Sequence, residues 1–309
     1  MKTRFAALLF CVLFGLAACG APDAPAAAQP ERALRDTVLY YADENGLMVP
    51  VVRAIPWEEG IGKAALRCLV DSEANRTFAA SCGLVPTLPE GTQIDLRIVD
   101  GEARVDLVGM EAPVSAAAER NLVTSVVNTM VEFPTVDSVR ILIDGKEAKA
   151  LPNGTDVSAA FGRIPLNAET APVAANSGEG AAVTLYFPNY ESSLIVPVER
   201  AVEGEVTLAG ALNELLKGPA QTDALRACFP EGTRLLSVTA EGGVAKIELS
   251  AEAENLLEHP KLSERAQECA ALLCAQFGVP AAVLQVNGTP LFEAGPVMAK
   301  NGANDLTQG

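Results

Sequence analysis

Pro89-Glu90-Gly91-Thr92 and Pro230-Glu231-Gly232-Thr233 are the same tetrapeptide in the two halves of one chain, and the likeness extends outward from both. Upstream, Leu39-Tyr40-Tyr41 falls on Leu185-Tyr186-Phe187, Val49-Pro50-Val51 on Val196-Pro197-Val198, Arg53 on Arg200 and Ala65-Leu66 on Ala211-Leu212. Downstream, Glu119-Arg120 falls on Glu264-Arg265, Phe133 on Phe277, and Val139 to Gly145 tracks Val283 to Gly288. The offset stays between 141 and 147 residues throughout. Anchors held in register over this length mark an internal duplication. The copies span 37–147 and 182–291.

Each copy reads as a mixed helix-strand unit. Thr37 to Tyr41 and Leu47 to Val52 are β-rich runs about the turn-like Asp43-Glu44-Asn45-Gly46, which predicts a strand pair. A helix follows, clearest where Leu208, Leu212, Leu215 and Leu216 recur at helical spacing before Gly218-Pro219. Copy one has Asp71-Ser72-Glu73 and a longer loop at that stop. Alternating Ile94, Leu96, Ile98 and Ala103, Val105, Leu107 across Asp100-Gly101 predict a hairpin, repeated about Glu241-Gly242-Gly243. A second helix carries Leu122, Val123, Val126, Val127, Met130 and Phe133 on one stripe, with Glu119 near its positive end. The expected class is α/β of the α+β kind: two tandem small mixed-sheet domains, each with two helices on one face.

The chain opens with Lys2 and Arg4, then an apolar run from Phe5 to Ala18, too short to span a bilayer and laid out as a secretory signal over 1–18. Leu16-Ala17-Ala18-Cys19 resembles a bacterial lipobox, making Cys19 the expected lipidation site; secretion as a soluble protein is the other reading. Acyl chains contribute about 0.8 kcal/mol per buried methylene, enough with two or more chains for stable anchoring. Residues 19–36 are Ala/Pro-rich and read as a tether, 148–181 as a linker and 292–309 as a flexible tail. The formal charge of -16 disfavours phosphate backbones, so no nucleic-acid partner is expected.

The ordered signatures resemble the GerM domain family: Leu-Tyr-Tyr/Phe, Val-Pro-Val with a trailing Arg, an Ala-Leu helix, Pro-Glu-Gly-Thr before a hairpin, then Glu-Arg opening a helix that ends near Phe. That resemblance implies a fold similar to the ring-building modules of secretion and sporulation machinery. It implies a non-catalytic lipoprotein of sporulation or spore germination, exported, lipid-anchored on the extracytoplasmic face of the membrane, binding envelope or sporulation-complex proteins, with homo-oligomers or rings as one outcome. The family brings no catalytic residues to transfer. The alternative is a peptidoglycan-binding or wall-remodelling lipoprotein outside sporulation. A ligand-binding lipoprotein feeding a transporter is a weaker third reading, because such proteins use larger lobes about a cleft.

Little in the sequence points to chemistry. The single histidine, His259, lies in a segment that copy one lacks, and any triad would rest on it alone. Two carboxylates suffice for glycan cleavage, with Asp43, Glu44, Glu58 and Glu59 as candidates, but 39 acids make such pairs common by chance. No metal or cofactor is expected. Of the cysteines, Cys68, Cys82, Cys228, Cys269 and Cys274 belong to the folded part. Export and spacing suggest disulfides Cys68 with Cys82 and Cys228 with Cys269 or Cys274, which non-reduced peptide masses showing five free thiols would exclude; burial as small apolar side chains is the other reading.

Overall fold

The computed structural model describes residues 33–169, 180–190, 194–292, 295–299 and 304–307. The signal, Cys19, most of the tether and the second part of the expected linker lie outside the described residues. Everything from Ala33 onward belongs to one unit.

In copy one, β1 (Leu34–Asp43) and β2 (Met48–Pro56) form an antiparallel hairpin. Asp43 shapes its turn, Oδ1 accepting the N–H groups of Asn45 and Leu47, both at 2.9 Å. There follow α1 (Ile61–Arg67), α2 (Glu73–Ser81), β3 (Leu84–Val85), β4 (Gln93–Val99), β5 (Glu102–Val108), α3 (Ala116–Val131), β6 (Ser138–Ile143) and β7 (Lys146–Glu147). The strands β4-β5-β6-β7 make a second sheet in that order. Within it β5 and β6 run parallel, since α3 carries the chain back to the starting end. Asp100 (φ 49°) and Gly101 (φ 81°) supply the two positive φ angles that a two-residue type I′ hairpin needs.

Helix α3 lies against both β1 and β6. Its expected stripe, Leu122, Val123, Val126, Val127 and Met130, is buried, each side chain contributing about 1.5–3 kcal/mol relative to exposure.

Copy two repeats the plan with β8 (Gly180–Pro188), β9 (Ile195–Glu203), α4 (Leu208–Leu216), β10 (Leu235–Glu241), β11 (Val244–Leu249), a 3₁₀ segment at Ala251–Glu258, α5 (Pro260–Ala275), β12 (Ala281–Val286) and β13 (Thr289–Pro290). Two short strands, β14 (Val297–Met298) and β15 (Asn304–Asp305), lie beyond it. The mixed α+β class is as read from the sequence, with the refinement that the first hairpin of each copy forms a sheet separate from the one built by the later strands of that copy.

Three segments differ from expectation. The loop at Asp71-Ser72-Glu73 leads into α2, because the Ser72 hydroxyl accepts the Asn75 N–H at 3.3 Å and caps a new helix. The described part of the linker is packed: Leu151 and Val157 are buried, and Phe161 exchanges backbone bonds with Val139 at 2.8 Å. The described parts of the tail are packed as well, β14 pairing with β12 and β15 running parallel to β2. In both segments a few apolar and amide side chains find partners that composition does not reveal.

The linker contains a small hairpin that stops one end of α3. The N–H of Leu151 bonds to Thr155 O and that of Val157 to Lys149 O, both at 2.9 Å. Its tip aims the amides of Asn153 (2.7 Å) and Thr155 (2.8 Å) at the carboxylate of the fully buried Glu119. Burial raises the carboxyl's affinity for a proton, but the amides outweigh it and hold Glu119 below the usual carboxylate range. A depressed folded-state pKa contributes stability above the unfolded value and loses it as pH falls through the folded one. Glu119→Ala is therefore expected to cost about 2–3 kcal/mol near neutral pH. The deficit relative to the parent should shrink on acidification below about pH 4 in urea titrations at each pH; a deficit that does not change with pH would mean that the contact is not ionic.

Candidate functional site

Two copies in one chain meet along equivalent strands, β2 and β9. Asn167, from the linker, takes the N–H of Met48 at 2.8 Å and donates to Met48 O and Pro197 O, both at 2.8 Å. Asn304, from the tail, takes the N–H of Ile195 at 2.7 Å and donates to Ile195 O at 2.9 Å and Pro50 O at 3.0 Å. Met48 corresponds to Ile195 and Pro50 to Pro197, so the two asparagines do the same work on interchanged copies.

Backbone bonds continue the exchange. The N–H of Glu169 reaches Glu199 O at 3.0 Å, and the N–H of Leu306 reaches Val52 O at 2.9 Å. The segment trailing copy one therefore straps the hairpin of copy two, and the segment trailing copy two straps the hairpin of copy one. This is the reciprocity of a two-fold, isologous contact made within one chain. On its axis sit the equivalents Asp43 and Asn189, both buried, with Asn189 Nδ2 donating to Asp43 Oδ2 at 3.3 Å. Each also organises its own hairpin, the Asn189 Oδ1 accepting the Leu194 N–H at 3.0 Å.

Beside the seam, residues of both copies and the linker line a cleft of about 490 Å³. Three of its polar side chains are committed to one another: the Tyr40 hydroxyl donates to Glu132 at 2.7 Å and accepts from Arg163 at 2.9 Å, and Arg163 also meets Glu132 at 2.8 Å. Burial first, then the charge of Glu132, pushes the Tyr40 phenol far above its ordinary value, so it remains a neutral hydrogen-bonding group. Glu199, on the same wall, is raised by burial. The trailing arginine of the repeat has a structural use, too. Arg200 joins Glu169 at 2.6 Å and the carbonyls of Glu214 (2.9 Å) and Gly218 (2.8 Å), tying the linker to the end of α4.

A second surface lies on α5. Leu257, Glu264, Gln267, Phe292, Val297 and Met298 border a groove of about 650 Å³, in which Leu257 and Met298 are large apolar side chains left exposed, 54% and 61% accessible. Met298 and Val297 come from the tail, whose composition alone gives no sign of a groove.

The residues singled out from sequence are scattered. Cys68 and Cys82 are half-buried near Tyr41, and Cys228, Cys269 and Cys274 are buried; all five are thiols here. Cys269 is the one that meets Cys228, and burial followed by that contact raises its thiol well above normal. Cys274 is pushed up by burial to about 12. Raised thiols are poor nucleophiles at neutral pH. Among the acids, Asp43 is spent on its turn and the seam, and Glu58 on Arg67 at 2.9 Å. His259 is exposed at the start of α5. Among the described residues no cluster of His, Cys, Asp and Glu is arranged to hold a metal, and no helix is long and apolar enough to cross a membrane.

Known proteins share this plan. The Germane family model, described as sporulation and spore germination, matches residues 38–149 and again 184–292. The spore germination protein GerM of Bacillus subtilis (strain 168) is 30% identical over 205 residues, which cover 64% of this chain and 56% of that protein. The chain thus matches little more than half the length of that relative. The solved tandem GerMN domains of the sporulation protein GerM from Bacillus subtilis superpose with a TM-score of 0.69 at 25% identity, covering 88% of this chain and 99% of that one. With both repeats matched and the tandem architecture shared, the chain belongs to the Germane, or GerM, family of sporulation and spore germination proteins.

Proposed function

We propose that this protein is a non-catalytic lipoprotein, anchored through Cys19 on the extracytoplasmic face of the membrane, that docks its two fused GerM copies as one body into an envelope complex of sporulation or germination. The observation that carries this reading is the reciprocal strapping of the copies. It consumes the edges of β2 and β9 that a lone copy would offer to a second molecule, and so directs assembly to the outer surfaces. The contacts within the cleft support the reading, since the Tyr40 hydroxyl, Glu132 and Arg163 are each held by the other two in a structural network. The acidic surface suits a soluble body held off the membrane by a tether.

Proximity labelling from the full chain in growing and sporulating cells, beside a Cys19→Ala variant, tests this. Sporulation or germination complex proteins are expected from the parent, with the variant released from the membrane and labelling them far less. Enrichment of wall-synthesising or wall-cleaving enzymes during growth, together with binding to purified sacculi, would replace this reading with the peptidoglycan one.

A further inference from the structure

The open end of the first hairpin is apolar where its duplicate is not. Leu34 opens β1 and pairs with Pro56, the last residue of β2; Trp57 follows, and its N–H bonds to Ala33 O at 2.7 Å. Leu34 is 65% and Trp57 53% accessible, and Pro56 is exposed between them. Trp57 lies one position beyond the partner of Leu34, so the two side chains leave the ribbon on opposite faces and both sides of its end are apolar. The Trp57 indole N–H has no acceptor among the described residues. In copy two the corresponding pair is Gly180 with Glu203, followed by Gly204. The same ribbon is thus built there without a large apolar side chain, and folding does not account for the ones in copy one.

What distinguishes the first end is the chain that joins it. Ala33 stands 14 positions after Cys19, and 14 residues span at most about 50 Å when fully extended. With Cys19 acylated, this corner is held within that distance of the bilayer, and tethering raises its effective concentration at the lipid surface so that a weak contact suffices.

We infer that the corner formed by Leu34, Pro56 and Trp57 rests in the headgroup region of the membrane that carries the anchor. A tryptophan suits that depth, having a broad apolar ring and an N–H that needs a wet partner. The Arg35 guanidinium, 5.4 Å from the indole centroid, brings one cation to the phosphates. Asp36 and Glu59 are exposed close by and offset it, while Glu58 is held by Arg67 at 2.9 Å. The corner therefore carries no net positive charge: apolar area makes the contact, the two acids keep it shallow, and the acidic remainder of the body stays in water. This contact presupposes the Cys19 anchor proposed above and adds how the body meets the bilayer.

Trp57 is the single tryptophan of the chain, so its fluorescence reports this corner alone. The lipidated full chain is reconstituted in phosphatidylcholine vesicles with and without acyl-brominated lipid. Expected are emission at shorter wavelength than from the Cys19→Ala chain in buffer, and quenching by the bromine. Leu34→Asp keeps the reporter and charges the ribbon end; it is expected to cut the quenching about twofold or more while flotation with the vesicles is unchanged. Circular dichroism verifies that the variant stays folded. Quenching that appears only when phosphatidylglycerol is added would mean that charge makes the contact, and overturns the inference.

A chain that floats with Trp57 unquenched also overturns it and leaves the anchor standing, whereas a chain without acyl groups that stays in solution removes anchor and corner contact together. In cells, a photo-crosslinking residue in place of Trp57 is expected to capture lipid. An adduct mainly with protein, a second copy included, gives the corner to that protein and overturns the inference.

Discussion

Replacing Asn167 with Gly and Asn304 with Ala in one chain is expected to turn a single unfolding transition into two. Each asparagine makes three hydrogen bonds to main-chain groups, and those groups lie in buried stretches of β2 and β9. Pro50 and Pro197 have no N–H of their own, so the seam cannot be knitted by an ordinary strand ladder at these positions. Removing either amide orphans a buried N–H and two carbonyls, costing about 2–4 kcal/mol per asparagine after water partly compensates. Glycine is the right replacement at 167, because Asn167 has φ 49°, which asparagine and glycine tolerate and alanine does not. The loss then reports the side chain and not backbone strain. Urea unfolding followed by Trp57 fluorescence, which lies in copy one, and by far-ultraviolet circular dichroism, which sees both copies, should coincide in the parent and separate in the double variant. Coincident curves in the double variant would mean that apolar packing across the seam, not the straps, makes the copies cooperative.

Asn189→Asp places a second carboxylate on the seam axis. Asp43 and Asn189 are equivalent residues in contact, and neither has appreciable access to water. A perfectly repeated sequence would put two like charges there; the asparagine in copy two turns a repulsion into a donor-acceptor pair. The substitution is expected to destabilise the chain by about 3–5 kcal/mol at neutral pH, the range seen when a buried charge is left uncompensated. The introduced carboxyl, buried beside another, is held above the usual carboxylate range. A raised folded-state pKa contributes stability below the unfolded value and loses it as pH rises through the folded one. The variant should therefore recover toward the parent between about pH 7 and pH 4, where it takes up a proton. Thermal melts at a series of pH values decide this; a deficit that persists unchanged at pH 4 would assign the cost to lost hydrogen bonding alone.

The duplication, the hairpin tips and the helix stripes were legible in the chain because each is a local rule. Asp100-Gly101 supplies positive φ whatever surrounds it, and Leu122, Val126 and Met130 fall on one helix face by spacing alone. Helix α2 was missed although its cap was present in Ser72, since a lone cap without an apolar stripe is weak support for a helix. The five cysteines show the limit of spacing as a guide. It left Cys228 two candidate partners, and only the packing of α5 turns Cys269 toward it.

What the sequence determined by itself, then, is what repeats: two GerM copies, the order of the elements they share, and the apolar stripes that fill their cores. The tertiary structure alone decided how the copies relate, because Asn167, Glu169 and Asn304 lie in segments whose composition reads as linker and tail. An amide or carboxylate in such a segment is solvated unless a distant chain brings it unsatisfied carbonyls, and those carbonyls sit 30 and 254 positions away along the sequence.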